Sequence, residues 1–200
     1  MKIITVAHQK GGVGKTTLAL NLAYCFKEGA RVAIIDTDPQ GSVSNIKPIL
    51  EQHGIALIAP QDIDKVRNQY DIAVIDTPPY LSTTLPEFFK YSDFVLVPTK
   101  ASVLDIMAIR ATIKLLREAM KERPQLKASI VLNMVKSRSA ITAEIKEILD
   151  EYKFPILNTM VSDRVSYTRS PISGGVFNTE DDKAKEEILG LTREIITQLK

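Results

Sequence analysis

Short apolar runs rich in β-branched residues alternate along the chain with longer stretches in which apolar positions recur every three or four residues. The runs predict strands at Lys2–Ala7, Arg31–Asp36, Ala56–Ala59, Ile72–Asp76, Phe94–Pro98, Ala128–Asn133 and Ile156–Met160. The amphipathic stretches predict helices at Lys15–Glu28, Ser42–Gln52, Ile63–Gln69, Leu85–Lys90, Val103–Glu122, Ala140–Tyr152 and Asp181–Leu199. Such alternation predicts an α/β fold, a mostly parallel twisted sheet of about seven strands with helices on both faces. Several strands are apolar on both sides, as a sheet covered on both faces requires. Right-handed crossovers gather the loops that follow the strands on one sheet edge, where ligands of open α/β folds bind. Between Ser170 and Asp182, Pro171, Gly174 and Gly175 interrupt the pattern, and disorder is expected there.

Composition narrows the class. Two hundred residues, 44% hydrophobic and 25% charged, suit one globular domain over 1–200 with its own core. Neither a repeat nor a Pro/Ser-rich linker divides them. The longest apolar runs, such as Phe94–Pro98 and Ile130–Leu132, stop far short of the ~20 residues that cross a bilayer. The N-terminus lacks a secretory cleavage pattern, so a cytoplasmic protein is expected. The single cysteine, Cys25, fits a reducing compartment and reads as a small buried side chain.

The chemistry lies after the first predicted strand, in Gln9-Lys10-Gly11-Gly12-Val13-Gly14-Lys15-Thr16-Thr17, which opens a helix. Glycines let backbone amides turn inward around phosphate oxygens, and the helix aims its positive dipole end at the same point. Lys15 can neutralise β- and γ-phosphate charge, and the Thr16 hydroxyl can ligate Mg²⁺. Gln9 stands where the general P-loop pattern has its first glycine. Two apolar strands end in carboxylates, Ile35-Asp36-Thr37-Asp38 and Ile75-Asp76-Thr77-Pro78. A buried carboxylate without a partner is costly, whereas beside Mg²⁺ and a triphosphate it has a use. Asp76 is placed to hold the metal or its water ligands, and Asp36 and Asp38 to polarise an attacking water. Taken singly, each of the three also suits a helix N-cap.

The run K-G-G-V-G-K-T-T resembles the deviant P-loop of the ParA/MinD ATPases. With I-I-D-T-D-P-Q-G-S, A-V-I-D-T-P-P, V-P-T-K-A-S-V-L-D-I around Asp105 and the late V-S-Y-T-R-S-P-I-S-G-G-V-F, the chain resembles the short ParF-like partition branch of the ParA family over nearly its whole length. The resemblance implies a P-loop NTPase fold and an ATPase using ATP and Mg²⁺. It also implies an ATP-dependent homodimer that coats nonspecific double-stranded DNA, and a small centromere-binding adaptor of ParB or ParG type that triggers release. It makes Lys10 the signature lysine reaching phosphates across the dimer. Gly11, Gly12, Val13, Gly14, Lys15, Thr16 and Thr17 become the nucleotide loop, Thr16 and Asp76 the metal residues, and Asp36 and Asp38 the water-orienting pair. Asn133 resembles an adenine-contacting asparagine, and reads equally well as a strand-end turn residue. Arg169 and Asp163 depart from the family pattern, which carries glutamate and arginine there.

Charge adds a surface. The 26 basic and 24 acidic residues nearly cancel, but the segment from Arg110 to Lys146 has nine basic residues against three acidic ones. Arg110, Lys114, Arg117, Lys121, Lys136 and Arg138 are the candidate DNA contacts, neutralising phosphates without reading sequence. A solvated helix face is the plainer reading, with Glu118 and Glu122 as intrahelical partners. No aromatic residue lies in that patch, so duplex DNA suits it better than a stacked single strand. A membrane-positioning role of MinD type would need an amphipathic anchor, and the last predicted helix mixes acids into its polar face instead. A paired-cysteine cluster is excluded, and an ATP-using biosynthetic ligase of similar fold remains the alternative from another class.

Overall fold

The computed structural model describes residues 1–38, 41–78, 84–136, 145 and 147–200. Among them, six strands form one sheet: β1 (Lys2–Val6), β2 (Val32–Asp36), β3 (Ala56–Ile58), β4 (Ile72–Asp76), β5 (Phe94–Lys100) and β6 (Lys127–Asn133). Their order is β3-β2-β4-β1-β5-β6, and every pair is parallel. Side chains alternate across it. Ile4, Val6, Ile34 and Val74 pack under α1 (Lys15–Phe26), while Ile3, Ala33, Ile35 and Ile75 face the other way. On that second face, α3 (Leu85–Tyr91) and α4 (Val103–Glu122) cover β5 and β6 with Phe89, Ile106, Ile109, Ile113 and Leu116.

The seventh predicted strand is a correction. Ile156 makes only a bridge to Ile130, although Leu157 N donates to Ile130 O at 2.8 Å and Val161 N to Leu132 O at 2.9 Å. Between these points the amides of Asn158 and Thr159 donate to the Glu194 carboxylate at 2.8 and 2.7 Å. A side chain has taken the donors that a ladder would need.

The expected disorder is also overturned. Residues Val165–Ser173 form α5, ended by Gly174 in the left-handed region at φ 79°, and Val176–Asn178 form a 3₁₀ turn. Asn21 of α1 holds this segment from below: its Nδ2 donates to Ser170 Oγ at 2.7 Å, and its Oδ1 accepts the Val176 amide at 2.8 Å. A Cβ on Gly175 would come within 2.9 Å of Tyr24, so the glycines permit close packing here rather than mobility. With α6 (Asp182–Leu199), α5 covers α1, which explains why Leu18 to Tyr24 are buried all round.

Two predicted helices change form. Residues 60–69 make a 3₁₀ turn at Pro60–Asp62 and further turns, with Asp62 and Asp64 paired to Lys65 and Arg67, in place of a helix at Ile63–Gln69. The Ser42–Gln52 stretch splits into a 3₁₀ turn at Ser44–Ile46 and α2 (Lys47–Gln52), with Pro48 in the first turn of α2. Of the helix expected at Ala140–Tyr152, 140–144 and 146 lie outside the described residues, and 145 and 147–150 are helical.

Candidate functional site

Central β1 delivers its loop to the sheet edge between β4 and β5. Gly12 and Gly14 turn that loop at φ 70° and 87°, values that favour glycine. Gly14 has a second reason to lack a side chain, because a Cβ there would collide with Asn133 Nδ2. Gly14 is also the N-cap of α1, and no side chain caps the helix and no acid sits in its first turn. Its first amides and positive dipole end are therefore open to an anion. Lys15 is buried beside them, its Nζ 3.2 Å from Lys10 O. Burial lowers its pKa, and the nearby carboxylates of Asp76 and Asp38 oppose that. A glycine turn with an uncapped helix and a buried cation fits a phosphate chain.

Asp36 and Asp76 are register partners at the ends of β2 and β4, yet their carboxylates do different things. Asp36 closes the following turn: Oδ1 accepts the Asp38 amide at 3.0 Å, and Oδ2 accepts Val43 N, Ser44 N and Ser44 Oγ at 3.0, 2.9 and 3.0 Å. Asp76 is fully buried. Its Oδ2 accepts the Thr16 hydroxyl at 2.7 Å, and its Oδ1 has no partner among the described residues. Burial pushes its pKa up to about 7, against the Thr16 hydrogen bond, with Asp36 adding to the rise. An orphaned carboxylate oxygen beside a hydroxyl suits Mg²⁺, which takes one or two protein oxygens and fills its octahedron with phosphate and water. No group of three or more metal-ligating His, Cys, Asp or Glu side chains occurs among the described residues.

The Lys10 side chain reaches the start of α4. Its Nζ lies 2.7 Å from Asp105 Oδ1, near the start of α4, where Ser102 caps the helix by accepting the Asp105 amide at 3.2 Å. Asn133 donates Nδ2 to Val13 O at 2.7 Å and so braces the loop. Beside it Thr17, Leu18, Met134, Arg164 and Tyr167 line a cavity of about 60 Å³.

The basic candidates separate. Arg110, Lys114, Arg117 and Lys121 are exposed on one stripe of α4, flanking a groove floored by Ile113 and Tyr152, and Arg117 donates to Tyr152 O. Lys136 lies off β6 beside Ser162, Arg164 and Glu187, away from that stripe, and Arg138 lies outside the described residues. Arg123, counted in the charge excess, is spent on the carbonyls of Phe89, Lys90 and Ser92. No described helix is long and apolar enough to cross a membrane.

Three site residues escaped the sequence reading. Asp105 stood in a quoted motif without a role, while His8 and Asn21 carried no pattern. A histidine closing an apolar strand was the only available signal.

Comparison with known proteins agrees with this geometry. Residues 4–176 match the family described as CobQ/CobB/MinD/ParA nucleotide binding domain. The chain is 31% identical to the maintenance of carboxysome distribution protein A of Halothiobacillus neapolitanus, covering 96% of this chain and 95% of that protein. Among solved structures, a Cyanothece McdA variant in complex with ATP superposes with a TM-score of 0.82 at 15% identity, over 98% of this chain and 96% of that one. The septum site-determining protein MinD of Pyrococcus horikoshii with Mg-ADP superposes with a TM-score of 0.75 at 17% identity, over 97% and 95%. Glycine loop, paired strand-end aspartates, sheet order and family match all converge: the chain belongs to the CobQ/CobB/MinD/ParA nucleotide-binding family, as an ATPase of its ParA/MinD branch that uses ATP and Mg²⁺.

Proposed function

We propose that the chain is an ATP-driven partition switch, cytoplasmic and nucleoid-associated, that dimerises on ATP, binds duplex DNA without sequence preference and is reset by hydrolysis under a partner's control. The observation that carries this reading is the Lys10 side chain, held by Asp105 at the start of α4. It sits near the exposed Val103, Leu104 and Met107 at the start of α4. A lysine placed so can serve a second copy's nucleotide.

In this scheme the amides of Gly11 to Thr17 and the Lys15 ammonium bind the phosphates, and Thr16 with Asp76 holds Mg²⁺. Bound Mg²⁺ neutralises phosphate charge. Asp36 and Asp38, together at the end of β2, orient the attacking water. The α4 stripe supplies the DNA contacts, two stripes per dimer. Binding should then fall with salt by a log–log slope of ~0.9 per phosphate neutralised. The partner is a small centromere-binding adaptor of ParB or ParG type. A second reading of the cargo, a protein assembly rather than a plasmid or chromosome, is favoured by the name of the Halothiobacillus relative.

Sedimentation and fluorescence anisotropy with ATP, ADP and several unrelated duplexes test the scheme. ATP should produce a dimer that binds all duplexes alike. Lys10→Ala should bind ATP yet stay monomeric, and Lys114→Glu with Lys121→Glu should weaken every duplex equally without changing ATP affinity. A wild-type monomer under saturating ATP, or strong binding to one duplex alone, would sink it.

A further inference from the structure

His8 follows β1 in the interior and is fully buried. An imidazole there carries two nitrogens that need partners. Nδ1 accepts the Lys10 backbone amide at 2.8 Å, which places the ring proton on Nε2. Nε2 has no partner among the described residues. The ring stays neutral near pH 7, because burial, with the charge of Lys15 next, lowers its pKa to about 4. What the ring does for the fold lies at Nδ1, which satisfies the Lys10 amide.

The neighbouring amide is handled the same way. Gln9 N donates to Thr112 Oγ1 at 3.3 Å, and Thr112 is fully buried on α4. Two consecutive amides, those of Gln9 and Lys10, are thus turned away from the anion site and satisfied by side-chain acceptors. On its other side the Lys10 carbonyl accepts from Lys15 Nζ. With its amide and its carbonyl both held, the residue sends its side chain out to Asp105. Without the two acceptors, the amides of Gln9 and Lys10 would seek the phosphate site, and the peptide would rotate and re-aim the ammonium group.

We propose that His8, together with Thr112, is a positioning residue that fixes the direction of Lys10 and sets Gly11 as the first residue of the phosphate nest. This deepens the reading above and rests on Lys10 acting in a second subunit. Neither residue belongs to the glycine-loop motif.

Paired substitutions test it. Asparagine places an oxygen where Nδ1 stands, so His8→Asn should keep ATP-dependent dimerisation and turnover near wild type. His8→Leu keeps the bulk and loses the acceptor. It should keep KM for ATP and thermal stability, while kcat and the dimerisation constant fall about tenfold, the effect of one lost hydrogen bond. Thr112→Val should reproduce that split and Thr112→Ser should restore it, which keeps the test open if His8→Leu does not fold. Wild-type dimerisation in both acceptor-free variants overturns the proposal. So does a loss that His8→Asn and Thr112→Ser share, or one that follows a drop in melting temperature. Lys10→Ala, run alongside, separates the two levels: if it dimerises normally, the reading of Lys10 has failed, whereas a monomeric Lys10→Ala beside normal His8→Leu and Thr112→Val fails only the positioning role.

Discussion

At the ends of β1 and β4, His8 Nε2, Gln9 Oε1 and Asp76 Oδ1 are buried without partners among the described residues. Between β6 and α6, by contrast, Glu187 alone accepts Ser162 Oγ and N at 2.7 and 3.1 Å, Tyr167 Oη at 2.8 Å, and Arg164 Nη2 and Nε at 3.2 and 3.3 Å. Both regions bury polar groups in the same small fold. One is complete in itself and works as mortar, holding the 162–167 loop against α6. The other is incomplete: Asp76 Oδ1, beside the Thr16 hydroxyl, suits Mg²⁺, while His8 Nε2 and Gln9 Oε1 lack a partner among the described residues.

The largest effect should come from the incomplete region. Lys15→Ala should lower ATP affinity in calorimetry by ~1000-fold or more, the loss of a buried charge-assisted contact. The melting temperature should hold or rise, since a half-starved ammonium leaves the interior. A melting temperature that falls instead would make Lys15 structural and erase the contrast.

Next in size, Glu187→Ala should destabilise the fold by ~3 kcal/mol, as it removes five hydrogen bonds at once and leaves Arg164 only Asp181 and the Tyr167 hydroxyl only Ala184 O. A drop of roughly 9 °C in the melting temperature is the expected reading for a chain of this length. Asp76→Asn should do the opposite in the nucleotide-free protein. The folded carboxyl has its pKa raised to about 7 by burial, so the wild type is penalised at pH above the unfolded value and fully so above about 7. The substitution should therefore stabilise by ~2 kcal/mol at pH 8, and the gain should fade as pH falls toward 4. It should also abolish Mg²⁺-dependent hydrolysis. Equal stability of the two proteins at pH 8 would show that Asp76 is not a strained site.

The smallest effect belongs to Glu194. Burial alone would raise its pKa, but the hydrogen bonds from Thr159 and Asn158 outweigh burial and leave it lowered. Its stabilisation is present above the unfolded value of about 4.5 and is lost as pH falls through the folded value. Glu194→Gln should cost ~1 kcal/mol at pH 7 and nothing in strong acid, measured by denaturant titration. If residues 158–160 then pair with β6 as an extra strand, seen as new amide protection, the competition between side chain and ladder is confirmed.

Much of this was readable from order along the chain. Local apolar periodicity set β1, β2, β4, β5, β6 and α4 close to their observed bounds, because each signal is carried within one element. The glycine loop was equally local: a strand, turn glycines, a lysine and a helix start occupy one short run, and their chemistry needs no distant residue. What stayed hidden was decided by partners far away in sequence. Asn21 orders the segment around Ser170 and Val176, and Glu194 takes the amides of a would-be strand. Asp105 aims Lys10, and Thr112 and His8 hold the shoulder of the loop. The sequence names the donors and acceptors, but only the packed structure decides which of them meet, since a hydrogen bond's worth depends on the geometry and burial that folding creates. That is why the kind of chemistry was fixed by a local motif, while the direction of its signature lysine was settled by the tertiary fold.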